Sequence, residues 1–203
     1  MKTRIIKLKN GSLEIVLCGA IHIGTQNYFN QLNAIANECD IVLFEGVSAI
    51  TLDKFKLFYI KLGKLIGLPT QNRIGYENSQ KWINSDMNYE IFRYYMKKNV
   101  IEELNVKDID ETIKDFDEKD KKFIRWIILF LIKNMNFISM FIKENHILVR
   151  LRNYKVLVDA TKQFETHNKI AVVYGNGHLN HLIRNFKKLN FVIIEKSYLD
   201  SLK

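Results

Sequence analysis

Proline and cysteine are nearly missing from this chain, with one Pro and two Cys among 203 residues. No stretch rich in Pro, Gly or Ser is available to act as a linker between domains. A chain of this length suits one domain with a sizeable core better than two. Cys18 and Cys39 do not make a disulfide framework, and nothing has the spacing of paired CxxC zinc ligands. Both stand in apolar, strand-like surroundings, which reads as buried free thiols. Arginine is also scarce, at seven residues, although the net charge is +9. Lysine meets phosphate as a point charge and lacks the bidentate fork of arginine. The basic balance therefore reads as a solvated lysine surface, and a nucleic-acid partner is disfavoured.

A long uninterrupted hydrophobic run is lacking as well. Residues 123 to 142 are dominated by Ile, Phe, Leu, Met and Trp, but Arg125, Lys133, Asn134 and Asn136 break them up. A membrane span needs about twenty predominantly apolar residues. A helix buried in the core, or one covering a homodimer interface, fits better than membrane contact. Met1 to Asn10 carries basic residues but no apolar segment and no small-residue cleavage site, so a cytoplasmic location is expected.

What is present reads as α/β. Apolar residues make up 47% of the chain and charged ones 26%, as in a globular protein. Arg4–Leu8 and Leu13–Cys18 are β-rich runs on either side of Asn10-Gly11, which predicts an opening hairpin. Thr25 can cap a helix to about Glu38, with Tyr28, Phe29, Leu32, Ile35 and Ala36 as its buried stripe. Ile41–Phe44 is a short apolar run of the kind that forms a buried parallel strand. A second helix is expected from Thr51 or Asp53 to Gly67, with Pro69 just beyond. The pattern is irregular from Gln71 to Tyr89. Helices are expected over 89–99, 109–116, 118–142 and 145–165, so that residues 90 to 165 form a helical insertion or cap. Ile170–Tyr174 returns to strand, Leu179–Leu189 to helix and Phe191–Glu195 to a last strand. The fold expected over residues 1–203 is thus a single α/β domain: a central, largely parallel sheet with an N-terminal β-hairpin and a helical cap.

In open parallel sheets, ligands bind beyond the carboxyl ends of the strands. Three expected strands end in polar residues there: Gly19-Ala20-Ile21-His22, Phe44-Glu45-Gly46, and Tyr174-Gly175-Asn176-Gly177-His178. Each feature has an ordinary explanation on its own. A lone His after a strand is usually a capping or core residue, and a lone Glu a solvated carboxylate. Gly175-Asn176-Gly177 lacks the Lys and spacing of a P-loop. Together, with Gly-x-x-His after two separate strands, they point to a shared site of His22, Glu45 and His178. Gly19, Gly24, Gly175 and Gly177 would give a substrate room, Asn176 would contact it from the same turn, and Tyr174 could offer its phenol to an oxyanion or equally pack at the strand end. His181 follows His178 by three residues and shares its helical face, as a further ligand or a surface residue. His146 and His167 read as structural or exposed, and Arg150 as a surface charge.

These motifs, in this order, resemble the TraB/TIKI/PrgY-like superfamily. Gly19-Ala20-Ile21-His22-Ile23-Gly24 resembles its opening motif and Val42–Val47 its second, a strand ending in Glu. Trp82–Met87 is similar to an Asn/His-x-Asp-Met/Leu element, preceded by a Leu-x-x-Gln at Leu68–Gln71. Arg152-Asn153 resembles the Arg-bearing helix before the last motif, and Val172–Leu179 the closing Gly-x-Gly-His signature. The resemblance implies that His22, Glu45 and His178 are metal ligands or acid/base groups. It further implies that Arg152 binds an anionic group or orients Glu45, and that Asp86 is another polar member of the site. The superfamily includes metal-dependent proteases, pheromone-shutdown proteins, erythromycin-esterase-like hydrolases and haem-iron-binding lipoproteins. By this reading the chain is expected to depart from the pheromone-shutdown proteins in lacking a C-terminal transmembrane region, and from the proteases and lipoproteins in lacking a signal peptide.

Two imidazoles and a carboxylate can hold Mn, Co or Zn with an open position, where bound water ionises near neutral pH and attacks an acyl carbon. Without metal, His22 could act as general base, oriented by Glu45, with Arg152 stabilising the oxyanion. The expected function is hydrolysis of a peptide or other small acyl substrate, the metal-dependent form being preferred. The alternative is a non-catalytic protein that sequesters a peptide or cofactor in the same cleft.

Overall fold

The computed structural model describes residues 2–46, 53–71, 80–88, 91, 94, 117–133 and 146–202. Strands β1 (Lys2–Asn10) and β2 (Leu13–Ala20) form the expected antiparallel hairpin, in register from Ile5↔Cys18 to Asn10↔Leu13. The turn falls one residue later than the Asn-Gly pair suggests. Gly11 and Ser12 close it, and Gly11 takes the left-handed conformation, φ 58°, that a residue with a Cβ avoids.

Helix α1 (Gln26–Asn37) comes next, with Thr25 as N-cap: its hydroxyl accepts the Tyr28 N–H at 3.2 Å. It leads to β3 (Ile41–Phe44), α2 (Asp53–Ile66), β4 (Trp82–Asn84), α3 (Glu118–Lys133), α4 (His146–Gln163), β5 (Lys169–Gly175), α5 (Leu179–Lys188) and β6 (Val192–Asp200). The six strands lie in the order β4-β3-β5-β2-β1-β6. The first four are mutually parallel, and β1 and β6 complete the sheet antiparallel.

Both faces of the sheet are covered, which is why its central strands read as continuous apolar runs. Side chains alternate across the sheet with period two. Val173, Val16, Cys18 and Val42 face α1 through Tyr28, Phe29, Leu32 and Ala36. Val172, Leu17, Ile15 and Leu43 face α4 and α5 through Val156, Ala160, Leu179, Leu182 and Phe186. Each large apolar side chain buried here contributes about 1.5–3 kcal/mol. Leu32→Ala, in the middle of the α1 stripe, would leave a cavity costing about 2–5 kcal/mol.

The helical region differs from the expected cap in one respect. Helix α4 packs directly on the sheet, with Val156 and Ala160 fully buried, so it belongs to the core layer. The expected helix 109–116 and the stretch 134–145 lie outside the described residues, as do most of residues 89–99. Strand β4 lies in the segment whose sequence pattern is irregular, and no strand is expected there. Among the described residues no helix is long and apolar enough to cross a membrane.

Candidate active site

The four parallel strands end side by side, and each delivers a polar residue at its carboxyl end. His22 comes just after β2, Glu45 just after β3, Ser85 and Asp86 just after β4, and the Gly175–His178 turn just after β5. Helix α4 crosses above them. Its sheet-facing stripe runs through Arg152 and Asn153, Val156, and Asp159 and Ala160, at the three-to-four-residue spacing of one helical face. Polar residues at core positions of that stripe are aimed at the strand ends.

Arg152 is the hub. Its Nε donates to Asp86 Oδ1 at 2.9 Å, and its Nη2 donates to Asp86 Oδ2 at 2.6 Å. The same Nη2 lies 2.5 Å from Glu45 Oε1. The other Glu45 oxygen accepts the backbone N–H of Gly175. Burial alone would push the Glu45 carboxyl up. Arg152, His178, the Gly175 N–H and His22 outweigh it and bring the pKa down to about 2. Arg152, for its part, loses hydration by burial but is held firmly charged by Glu45 and Asp86.

His178 opens α5 and is buried, its ring edge-on to Tyr174. Its Nδ1 is 2.7 Å from Asn153 Oδ1 and its Nε2 is 3.8 Å from Glu45 Oε1. His22 lies on the exposed side of the site. Protein atoms nevertheless crowd its ring, and that desolvation lowers its pKa below the ordinary imidazole value. Glu45 acts in the opposite direction and Arg152 in the same one. The side chain of Gln71 hydrogen-bonds this ring. The Gln71 N–H also donates to the His22 carbonyl at 2.8 Å, within a pairing that includes Ile23↔Thr70. Gln71 is visible in the sequence only as part of the Leu-x-x-Gln resemblance, which gives no hint of its contact with His22.

The residues expected to face a substrate divide into two groups. Gly175 lies at the site: a Cβ there would stand 3.2 Å from Glu45 Oε2 and 3.5 Å from the His178 ring. Gly177 is exposed next to it. Asn176 turns instead towards β1. Its Oδ1 accepts from Arg4 N at 3.2 Å and from Arg4 Nε at 3.4 Å, and its carbonyl accepts from Arg4 Nη2 at 2.9 Å. The space at Gly19 is filled by that amide, since a Cβ there would come within 2.5 Å of Asn176 Oδ1. Gly24 packs against Tyr28 and the Ser201 carbonyl. Tyr174 is fully buried, and its hydroxyl donates to the Ser85 carbonyl at 2.6 Å. Burial, Asp86 and Glu45 all raise its pKa, so the phenol keeps its proton.

Ser85 carries no sequence signal of its own. Its hydroxyl donates to Asp159 Oδ2 at 2.6 Å, and Asp159 pairs with Lys155. His181 lies on the outer part of α5, with its Nδ1 3.0 Å from Asn185 Nδ2. Arg150 is exposed.

The carboxylates fit a divalent ion poorly. Both Asp86 oxygens are engaged by Arg152, and those of Glu45 by Arg152 and Gly175 N–H. An ion would have to compete with the guanidinium for Asp86 and for Glu45 Oε1, and with the Gly175 N–H for Glu45 Oε2. Among the described residues, no three His, Cys, Asp or Glu side chains gather as a ligand set. What the arrangement offers is one guanidinium paired with two carboxylates, together with two imidazoles.

Compared with known proteins, the chain matches no family model, no curated protein and no solved structure.

Proposed function

We propose that this chain is an acyl hydrolase that activates water with its own side chains, acting on a peptide or a small amide or ester. The observation that carries the reading is the convergence of His22, Glu45, Asp86, Arg152 and His178 at adjacent parallel strand ends. His22 has a lowered pKa, so it is neutral near pH 7 and able to take a proton from water. Glu45 is ionised and close enough to stabilise the imidazolium that forms. Arg152 supplies the fixed positive charge beside which an oxyanion can develop. The resemblance to the TraB/TIKI/PrgY-like superfamily supports the same class of reaction.

The test is turnover of a panel of esters, amides and short peptides by the native protein and by His22→Ala. Each assay is run with chelator and with added Mn, Co or Zn. Chelator-resistant hydrolysis that is lost in a folded His22→Ala variant supports the proposal. Hydrolysis that needs one of the metals would replace it with the metal-dependent form. Ligand binding without turnover, retained in His22→Ala, would make the chain a sequestering protein.

A further inference from the structure

The contact between α4 and the start of α5 has a chemical consequence for His178. Asn153 is fully buried, and its Oδ1 lies 2.7 Å from His178 Nδ1. With the amide in this orientation its oxygen only accepts, so a hydrogen bond of this length has Nδ1 carrying the proton. The nitrogen on the Glu45 side is then Nε2, at 3.8 Å from Oε1. That spacing is too long for a direct hydrogen bond. A lone pair on Nε2 would confront an ionised carboxylate there. A proton between the two resolves that conflict, whether it belongs to the ring or to a bound water or substrate.

We infer that Asn153 is a positioning residue that holds His178 in the Nδ1–H form. Nε2 is thereby the His178 nitrogen that faces Glu45, and any proton this ring exchanges there moves through it. Three further restraints keep the ring in place. The His178 backbone N–H donates to the Gly175 carbonyl at 2.9 Å, Tyr174 closes one side of the ring, and α5 starts at the next residue. Asn153 itself is anchored on the α4 stripe beside Arg152, so one helix fixes both the guanidinium and the tautomer. Its Nδ2 is buried and meets no acceptor among the described residues. An unpaired buried donor is costly. The reverse amide orientation would give Nδ2 a partner at Nδ1 and leave the oxygen without a donor, so the proton at Nδ1 tells the two orientations apart. The same logic operates where the hydrogen bond at one imidazole nitrogen sets the chemistry of the other.

The inference concerns the site proposed above but is measured in the resting protein, so it stands or falls separately from turnover. Protein labelled with ¹⁵N-histidine is titrated by two-bond ¹H–¹⁵N correlation spectroscopy, with His178→Gln supplying the assignment. Nδ1 of His178 should keep its proton to the alkaline end of the titration, with any proton loss at Nε2. Asn153→Asp, which also accepts from Nδ1, should preserve this pattern. Asn153→Ala should show faster exchange of the Nδ1 proton or a shift to the Nε2–H tautomer. A proton-free Nδ1 at alkaline pH in the native protein would overturn the inference, as would an Nδ1–H unchanged in a folded Asn153→Ala variant. Should that variant not fold, the native and Asn153→Asp spectra still decide it.

Discussion

Arg152 grips Asp86 through two parallel hydrogen bonds, Nε to Oδ1 at 2.9 Å and Nη2 to Oδ2 at 2.6 Å, and the same Nη2 reaches Glu45 at 2.5 Å. One guanidinium thus joins the ends of β3 and β4 to α4. The Asp86 side chain has no exposed surface, and those of Arg152 and Glu45 are only 13% and 16% exposed. Removing the arginine would therefore strand two carboxylates away from water.

Arg152→Met should destabilise the protein by about 3–5 kcal/mol, the usual cost of breaking a buried ion pair from one side. Adding Asp86→Asn and Glu45→Gln should return part of that loss, because no uncompensated charge remains. Urea unfolding of the single and triple variants gives the comparison. Equal stability of Arg152→Met and the native protein would show that the network contributes nothing to folding.

Acid should weaken the fold through Glu45. Its pKa falls from an ordinary 4.5 to about 2 in the folded state. A depressed carboxylate stabilises the fold above its unfolded pKa. That stabilisation is lost as the pH falls towards the folded value. The window is therefore about pH 4.5 down to pH 2, and the amount at stake is about 3 kcal/mol at about 1.4 kcal/mol per unit. Glu45→Gln should flatten the stability profile in that window. An unchanged acid limb would assign the acid sensitivity to other groups.

The sheet is legible in the sequence wherever a strand is long and apolar on both faces, as at Leu13–Cys18, Ile41–Phe44 and Ile170–Tyr174. Strand β4 is not, because three residues, Trp82 to Asn84, are too short to show a period. That His22, Glu45 and His178 lie at one edge is legible because a parallel sheet gathers the residues just beyond its strands there. Asn153 is visible only beside Arg152 in the family resemblance, and Asp159 not at all, as long as α4 is read as part of a cap. Once that helix lies on the sheet, polar residues on its apolar stripe become the signal. The direction of Asn176 is beyond local reading altogether, since its partner, Arg4, is 172 residues away in the chain.

That long-range contact sets the next expectation. Arg4 also reaches Asn180 Oδ1, Nη1 to oxygen at 2.5 Å, so it clamps both sides of the turn carrying Gly175 and His178. Arg4→Ala should cost about 1–3 kcal/mol, as for hydrogen bonds to a charged group. It should also speed amide hydrogen exchange at Asn176, whose N–H donates to the Ala20 carbonyl at 3.0 Å. Gly19→Ala should act on the same turn from below, by pressing on Asn176. Unaltered exchange in both variants would mean that the turn is held by other contacts.

Tyr174 separates a structural from a chemical role most cleanly. Its phenol is a candidate oxyanion donor by sequence, but its hydroxyl hydrogen-bonds the Ser85 carbonyl at 2.6 Å and the ring is fully buried. Tyr174→Phe removes that donor and leaves a buried carbonyl short of a partner, at a cost of about 1–3 kcal/mol. The ring would still pack edge-on to His178 and fill the same volume. Unfolding should therefore shift while kcat on any substrate found stays within about twofold, a barrier change of under about 0.5 kcal/mol. A fall of about a hundredfold in kcat with stability unchanged would instead mean that the phenol leaves Ser85 during the reaction and serves the developing oxyanion.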